Sequence, residues 1–580
     1  MQADNSFFHN KFNKLKVLLL VPHEDDEINT AGSFVYTLSR CGADISLIYT
    51  TNGDWKYSAE KRFEEAINSA TLFGISEENI YFLGYGDAIN SEERNHLFYH
   101  YNTVACSAAG HTETYGTNKH PDFAFQRENM HHAYLNKNYL KDLVEIICLI
   151  NPNLIICTDF DEHPDHRMLS LYFDKAIGLI KKKISDFNPE IWKSFAYALA
   201  YTAISDYSII NNPETQRPEI GTTGKYELDI IDKFYYQWQK RIRIPIPSKV
   251  QNCSIRNNFI AKALQQHKSQ FIILKADSII NSDEVFWSRR TDSISYSAKV
   301  EATSGHKEYL TDFMIYNVRN IDNFIPEFED YFWQPDENDV EKKVMFSWPK
   351  PVTIEKIVLY GAVSQNGKIE KLLISLSDSY QKIITDFPQN GNPVEVFVGR
   401  HENITFCEVK ILSATGQVYG ISECEFYSVA NFISCINPFC KILVNDNFVY
   451  EYVIDENIKT VSFDCYCYGI IDSITICVEK GKSTLNKGKL LIDKADKEII
   501  LKAQNESGDI WDRIVVKRLS REELNDLRKI DLLDKKYLRQ KRREKKFYNM
   551  IYILRHEGLF AVFKRILKNV IRPALIKRKL

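Results

Sequence analysis

Two kinds of hydrophobic pattern divide this chain. Up to about residue 170, short apolar runs alternate with stretches in which apolar residues return every three or four positions. The runs 16–21, 44–49, 80–83 and 153–157 predict strands, and 28–41, 62–73 and 139–150 predict helices, the last stopped by Asn151-Pro152. Strands alternating with helices predict a parallel, doubly wound, Rossmann-like α/β sheet, which binds ligands beyond the carboxyl ends of its strands. From about residue 295 the period becomes two, in short segments at 343–348, 354–360, 372–376, 395–398, 407–412 and 423–427. Turn residues such as Asn390-Gly391-Asn392-Pro393 separate them. That pattern predicts an all-β sandwich or jelly roll, and residues 439–516 predict a second small sandwich. After Leu519 the period is helical, apart from a break near Arg572-Pro573. The expected organisation is an α/β half over 1–298, β domains over 299–430 and 431–518, and a basic helical tail over 519–580.

Candidate chemistry sits at two of the predicted strand ends. Directly after the first apolar run comes Val21-Pro22-His23-Glu24-Asp25-Asp26-Glu27. Unpaired carboxylates at the edge of an apolar core repel one another and resist desolvation, and a divalent cation would relieve both problems. His163-Pro164-Asp165-His166 follows the strand 153–157 in the same way. His23 and Asp26 are three apart, as are His163 and His166, so a chain turning into a helix places each pair on one side. Two histidines and a carboxylate make a three-ligand set for zinc, with a fourth position open for water, the mark of a catalytic site. Asp25, next to a ligand, suits a general base. His163 suits a donor to an oxyanion or leaving nitrogen, with Asp165 as its orienting partner. Singly, each residue has an ordinary explanation: a packed histidine, an N-capping aspartate, or in Glu27 a first-turn acid favoured by the helix dipole.

Composition and charge narrow the class. The 580 residues are 44% hydrophobic and 26% charged, with a formal net charge of −3. From Lys535 to Leu580 there are sixteen Lys/Arg against two acids, Glu544 and Glu557, so a basic tail follows an acidic body. Such a tail points to an anionic partner. The first 16 residues are polar, with no signal-peptide core, and no run approaches a membrane-spanning length. The twelve cysteines are thinly spread, which predicts reduced thiols in a cytoplasmic protein, with Cys465 and Cys467 on one face of a strand.

A strand followed by His-x-Asp-Asp-Glu, with His-Pro-Asp-His about 140 residues later, resembles the PIG-L/LmbE-type zinc-dependent N-deacetylases. Supporting fragments are Thr51-Asn52-Gly53-Asp54, Arg62 with Glu65, Leu83-Gly84-Tyr85, Arg127-Glu128-Asn129, His267-Lys268-Ser269-Gln270 and Val285-Phe286-Trp287. The resemblance covers about residues 14–295. It implies one zinc ion per chain on His23, Asp26 and His166, another divalent metal being an alternative. Asp25 is then the base, and His163 the group that polarises or protonates the tetrahedral intermediate. Arg62, Arg127 and His267 become candidate substrate contacts. Glu24 stands where many members of the family carry proline, which predicts a loop of different stiffness.

Residues 300–430 resemble a discoidin or galactose-binding-like jelly roll, through Ser347-Trp348-Pro349, 354–360 and Tyr419-Gly420-Ile421-Ser422-Glu423. Tyr331 and Trp333 are then candidate sugar platforms. In the tail, Leu559, Val562, Phe563, Ile566, Leu567 and Val570 recur at helical spacing, opposite Lys564, Arg565, Lys568 and Arg572. A basic amphipathic helix suits an anionic membrane surface better than nucleic acid. The expected function is hydrolysis of the N-acetyl group of an N-acetyl-hexosamine in a glycoconjugate, lipid-linked or part of a surface polysaccharide. The expected place is the cytoplasmic side of the cell membrane, with peripheral attachment. Two rival readings are a non-catalytic carbohydrate-binding or scaffold protein of a membrane-associated glycan assembly, and an enzyme acting on a non-sugar acetamide.

Overall fold

The run Lys16–Val21 forms strand β1, which sends Val17, Leu19 and Val21 into one core and Leu18 and Leu20 into another. A central parallel strand is covered on both faces, which is why its sequence is continuously apolar. The computed structural model to which β1 belongs describes residues 14–87, 102–161, 163–200, 207–217, 237–315, 332–363, 366–385, 387–388, 391–478, 481–483, 487–491, 497–506, 508–557, 559 and 561. Strands β2 (Asp44–Thr51), β3 (Ile80–Tyr85), β4 (Leu154–Thr158) and β5 (Glu190–Ser194) join β1 in parallel, in the order β3-β2-β1-β4-β5. Beyond β5 the sheet turns antiparallel through β7 (Asp283–Arg289) and β6 (Ile242–Pro245). The α/β expectation therefore holds, with a mixed rather than wholly parallel sheet.

Helices α1 (Asp26–Arg40) and α2 (Ala59–Leu72) cover one face of the sheet. A short α3 (Phe123–Glu128) packs against β3, and α4 (Asn136–Ile150) and α5 (Pro164–Lys183) cover the other face.

The first β domain is an antiparallel sheet of β8 (Lys299–Ala302), β9 (Lys343–Gly361), β10 (Gly367–Leu376), β11 (Gln381–Thr385), β12 (Pro393–Gly416) and β13 (Ile421–Tyr427). The expected separate strands 343–348 and 354–360 are two halves of β9, and 395–398 and 407–412 are parts of β12. Between Phe397 and Phe406 the β12–β9 register shifts three times. Bulges of this kind bend a strand without ending it, and polar residues at the bend mimic a turn in the sequence. Both halves of β9 feed one core, with Phe346, Trp348, Ile357 and Leu359. Trp333 lies in that same core, fully buried, and its indole N–H donates to the Ser304 carbonyl at 2.8 Å. It is a core residue and not a sugar platform; Tyr331 lies outside the described residues.

Two further small sheets between Phe439 and Leu519 close on a shared core of Ile442, Val444, Ile476, Leu501 and Ile514. Here Cys440 and Cys467, opposite one another on antiparallel strands, form a disulfide. The expectation of reduced thiols throughout fails at this pair, because the ladder sets their side chains face to face. The other ten cysteines are not disulfide-bonded. A long helix, α6 (Arg521–His556), opens with a Ser520–Glu523 capping box and returns along the α/β domain. Ile436, Phe439 and Leu538 insert into the α/β core, so the appended parts pack on the first domain through apolar contacts. Among the described residues no helix is long and apolar enough to cross a membrane.

Arg289 at the end of β7 joins the first two domains. It pairs with Glu425 at 3.0 Å, donates to the Phe313 carbonyl at 2.6 Å, and its guanidinium lies 3.5 Å over the Phe313 ring. Removing one partner of a buried pair strands the other charge. Arg289→Ala is expected to lower stability by about 3–5 kcal/mol, read from chemical denaturation. Lys299→Ala, which breaks an exposed pair with Glu301, is expected to leave the midpoint unchanged.

Candidate metal centre and active site

The strand order reverses between β1 and β4, which pair in register from Val17↔Leu154 to Leu20↔Cys157. Such a switch point opens a crevice at the carboxyl ends of the strands, and both sequence motifs lie there. After β1 the chain makes a tight turn, with the Asp26 N–H donating to the His23 carbonyl at 3.2 Å, and enters α1 with Asp26 and Glu27 in its first turn. After β4 it enters α5 through Pro164, with His163 as cap: its Nδ1 accepts the Asp165 N–H at 3.2 Å. The Thr30 and Thr158 hydroxyls bond at 2.8 Å and tie α1 to the end of β4.

His23 Nδ1, Asp26 Oδ2 and His166 Nε2 form a triangle with edges of 3.0, 3.1 and 3.3 Å. Ligands at zinc-type bond lengths in a tetrahedral shell lie about 3.3 Å apart, so these atoms have the spacing of one face of such a shell. The other ring nitrogen of each histidine meets a carboxylate. His23 Nε2 is 3.1 Å from Asp165 Oδ2, and His166 Nδ1 is 2.9 Å from Asp161 Oδ2. Outer carboxylates that fix the tautomer and raise ligand basicity are the usual company of metal-binding histidines. The donor set fits a divalent cation.

Electrostatics give the same account. Burial opposes charge on His23 and His166, yet the surrounding carboxylates outweigh it and lift His23 well above its ordinary value and His166 to about 9. Burial works against an ionised Asp26 as well, but both imidazoles hold its carboxyl well below the usual range. Triangle and outer carboxylates together thus favour positive charge at their centre.

Two groups stand beside the triangle without joining it. Asp25 is buried, which raises its pKa, and Arg62 opposes the shift from 3.3 Å. The same guanidinium reaches Glu24 at 3.3 Å, a fully buried carboxyl pushed up to about 8 by desolvation. Gly53, at φ +57°, lies against this pair, and a Cβ there would collide with both side chains. His163 stacks edge-on to His23 at 4.5 Å. Burial, then the neighbouring imidazoles, lower its pKa well below the ordinary value, so it is neutral. Its Nδ1 accepts a backbone N–H, which leaves the proton on Nε2, a buried atom with no hydrogen-bond partner among the described residues.

The structure thus brings His23, Asp26, His166, Asp25, His163 and Asp165 together. Asp165 departs from its expected role: its carboxylate is nearer His23, at 3.1 Å, than His163 Nδ1, at 3.6 Å, because that nitrogen is taken by the helix cap. Arg62 touches Asp25. His267 is buried behind the site and bonds Glu27 at 2.8 Å, and Glu27 also accepts from Ser69. Glu27 is therefore more than a first-turn acid. Arg127 is exposed in the last turn of α3, and among the described residues no hydrogen bond or ion pair joins it to the cluster. Sequence reasoning missed Asp161, Asp87 and the burial of Glu24. Asp161 accepts from the His163 and Tyr197 N–H groups as well as His166. Its signal was present in Thr158-Asp159-Phe160-Asp161, an acidic stretch leaving a buried strand. Asp87 lies 3.8 Å from His23 Nε2 and follows a segment with no charged motif.

His166→Ala is expected to abolish stoichiometric metal retention after dialysis while the circular dichroism spectrum stays unchanged. Asp161→Ala should keep the metal with an affinity lower by about 10–100-fold. Wild-type metal content in His166→Ala would contradict the assignment.

Residues 18–177 match the PIG-L family, GlcNAc-PI de-N-acetylase, and residues 293–427 match a domain of unknown function, DUF7402. No curated protein matches the chain. Among solved structures, the N,N'-diacetylchitobiose deacetylase from Pyrococcus horikoshii is 17% identical, over 49% of this chain and 87% of that one, at a TM-score of 0.27. A triple mutant of a deacetylase of the teicoplanin biosynthetic pathway is 14% identical, over 48% and 99%, at 0.28. The family 32 CBM from C. perfringens NanJ, in complex with galactose, is 14% identical over 23% and 94%, at 0.18. Both ligand motifs fall inside residues 18–177, the segment that matches the PIG-L, GlcNAc-PI de-N-acetylase, family.

Proposed function

We propose that the protein hydrolyses the N-acetyl group of an N-acetyl-hexosamine, with a zinc ion on His23, Asp26 and His166. The observation that carries this reading is an uncoordinated buried acid, Asp25, and a neutral imidazole, His163, beside a ligand triangle. A structural metal site has no use for either group. The metal, when bound, supplies a Lewis acid that activates water and polarises the acetamide oxygen. Asp25 takes the proton of the attacking water, and its raised pKa makes it a better base than an exposed aspartate. Arg62 holds Asp25 in place and opposes the upward shift of its carboxyl. His163 donates from Nε2 to the developing oxyanion. The proton on Asp25 then passes to the departing nitrogen, giving acetate and the free amine.

The finer proposal is that the substrate is a lipid-linked or surface glycoconjugate met at the cytoplasmic face of an anionic membrane. Most of the expected amphipathic segment, 562–580, lies outside the described residues. What supports the reading is the end of α6, where Phe547, Tyr548, Met550 and Leu554 are exposed beside the basic Arg543 and Lys546.

Acetate release from N-acetyl-hexosamine substrates tests the chemistry. Asp25→Asn is expected to reduce kcat by about 10²–10⁴-fold, and chelation should abolish activity until zinc is restored. Undiminished release by Asp25→Asn would contradict the reading. The chain should also co-sediment with anionic but not neutral vesicles, and lose that binding at high salt; equal sedimentation with both would remove the electrostatic attachment.

A further inference from the structure

The two ligand motifs occupy the ends of β1 and β4, and a third strand end lies beside them. Strand β5 pairs with β4 as far as Thr158↔Ser194, and the Asp159 N–H donates to the Ser194 carbonyl at 2.9 Å, so the two chains leave the sheet together. Phe195 and Ala196 then turn fully into the core, with Phe195 edge-on to Phe160 and Trp287. Tyr197 follows, in the short helix Ala196–Ala200. Its N–H donates to Asp161 Oδ2 at 2.8 Å, the same oxygen that backs His166 Nδ1 at 2.9 Å. Its half-buried ring stands edge-on to two imidazoles, 4.6 Å from His166 at 75° and 5.3 Å from His163 at 70°. Rings crossed at these separations are in contact, so that flank of both histidines is filled.

Along the crevice the groups follow the strand order β2-β1-β4-β5. Arg62, on the helix after β2, touches Asp25, after β1, at 3.3 Å. His23, also after β1, meets His163, after β4, at a ring separation of 4.5 Å, and Tyr197, after β5, comes last. An acetamide whose nitrogen must reach Asp25 and whose oxygen must reach His163 has one substituent left on its planar carbonyl carbon. The three substituents point apart. The methyl group therefore turns away from Asp25, toward the β5 side, where Tyr197 stands.

We propose that Tyr197 is the specificity-determining wall for the acyl group: its ring receives the acetyl methyl and excludes longer N-acyl chains. The inference rests on the deacetylase reading for the orientation of the amide. A methyl group against the ring gains dispersion contact. Each further methylene must push the ring off both imidazoles, or pull its backbone from Asp161, and such overpacking is costly. One methylene is worth about 10–200-fold in discrimination at a closed apolar wall.

The test uses the metal-loaded full chain. Amine release is measured from N-acetyl-, N-propionyl- and N-butyrylglucosamine, and binding of acetate, propionate and butyrate is measured by calorimetry, which needs no turnover. Wild type is expected to favour the acetyl substrate, and acetate, by about tenfold or more over the next homologue. Tyr197→Phe, which keeps the ring, is expected to keep both preferences. Tyr197→Ala is expected to lose them, through faster release from the longer substrates and tighter binding of the longer carboxylates, at unchanged metal content. Tyr197→Leu, which keeps apolar contact with the imidazoles, takes its place if the alanine variant unfolds, and is expected to relax the preferences in the same direction. Equal treatment of the homologues by wild type, no response in either assay, or preferences that survive in the folded alanine and leucine variants overturns the proposal. Carboxylate discrimination that these variants lose, with no amine released from any substrate, supports the wall and removes the deacetylase reading. Amine release without discrimination among acyl groups keeps the deacetylase and overturns the wall.

Discussion

Everything at the centre of this molecule depends on keeping seven titratable groups, His23, Glu24, Asp25, Asp26, His163, Asp165 and His166, buried at the junction of two strand ends. An ionised group in such a place is costly unless it is paired and hydrogen-bonded. The structure answers by sorting the charges into layers. Asp26 is clasped between two imidazoles, each imidazole is backed by its own carboxylate, and Arg62 neutralises Glu24 and Asp25 on the outer side. That arrangement concentrates ligand lone pairs at one point and leaves one acid and one imidazole beside it for proton transfer.

The scaffold makes this layering possible. Parallel β1 and β4 end at the same height, so helices α1 and α5 begin side by side and deliver their first-turn side chains to one crevice. Behind them the Thr30–Thr158 hydroxyl bond ties the two starts together, and apolar cores on both faces hold the strands. Around this unit the appended domains are attached by buried pairs and shared apolar residues, and α6 packs back on the α/β domain through Leu538 and Lys545.

Much of this was legible in the sequence, for physical reasons that differ from place to place. The run Lys16–Val21 and the two histidine motifs were plain because a central strand must be apolar on both faces and a metal needs ligands of recognisable type at helical spacing. The long strands β9 and β12 read as pairs of short ones, since a bulge and a turn call for the same small or polar residues. Cys440 and Cys467 could not be paired from sequence, because their proximity is set by strand register over 27 residues. Asp165 looked like the partner of His163 by adjacency, but the helix cap takes that nitrogen and the carboxylate turns to His23. Asp161 had a signal in the acidic stretch that leaves β4, but its role comes from what the tertiary fold places against it, the His166 ring and the His163 and Tyr197 N–H groups.

The most direct measurement of the central claim is X-ray absorption fine structure of the metal-loaded protein. The account predicts a first shell of nitrogen and oxygen at about 2.0–2.1 Å, with two imidazoles in wild type and one in His166→Gln. A sulfur-containing shell, or an imidazole count unchanged by that substitution, would contradict it.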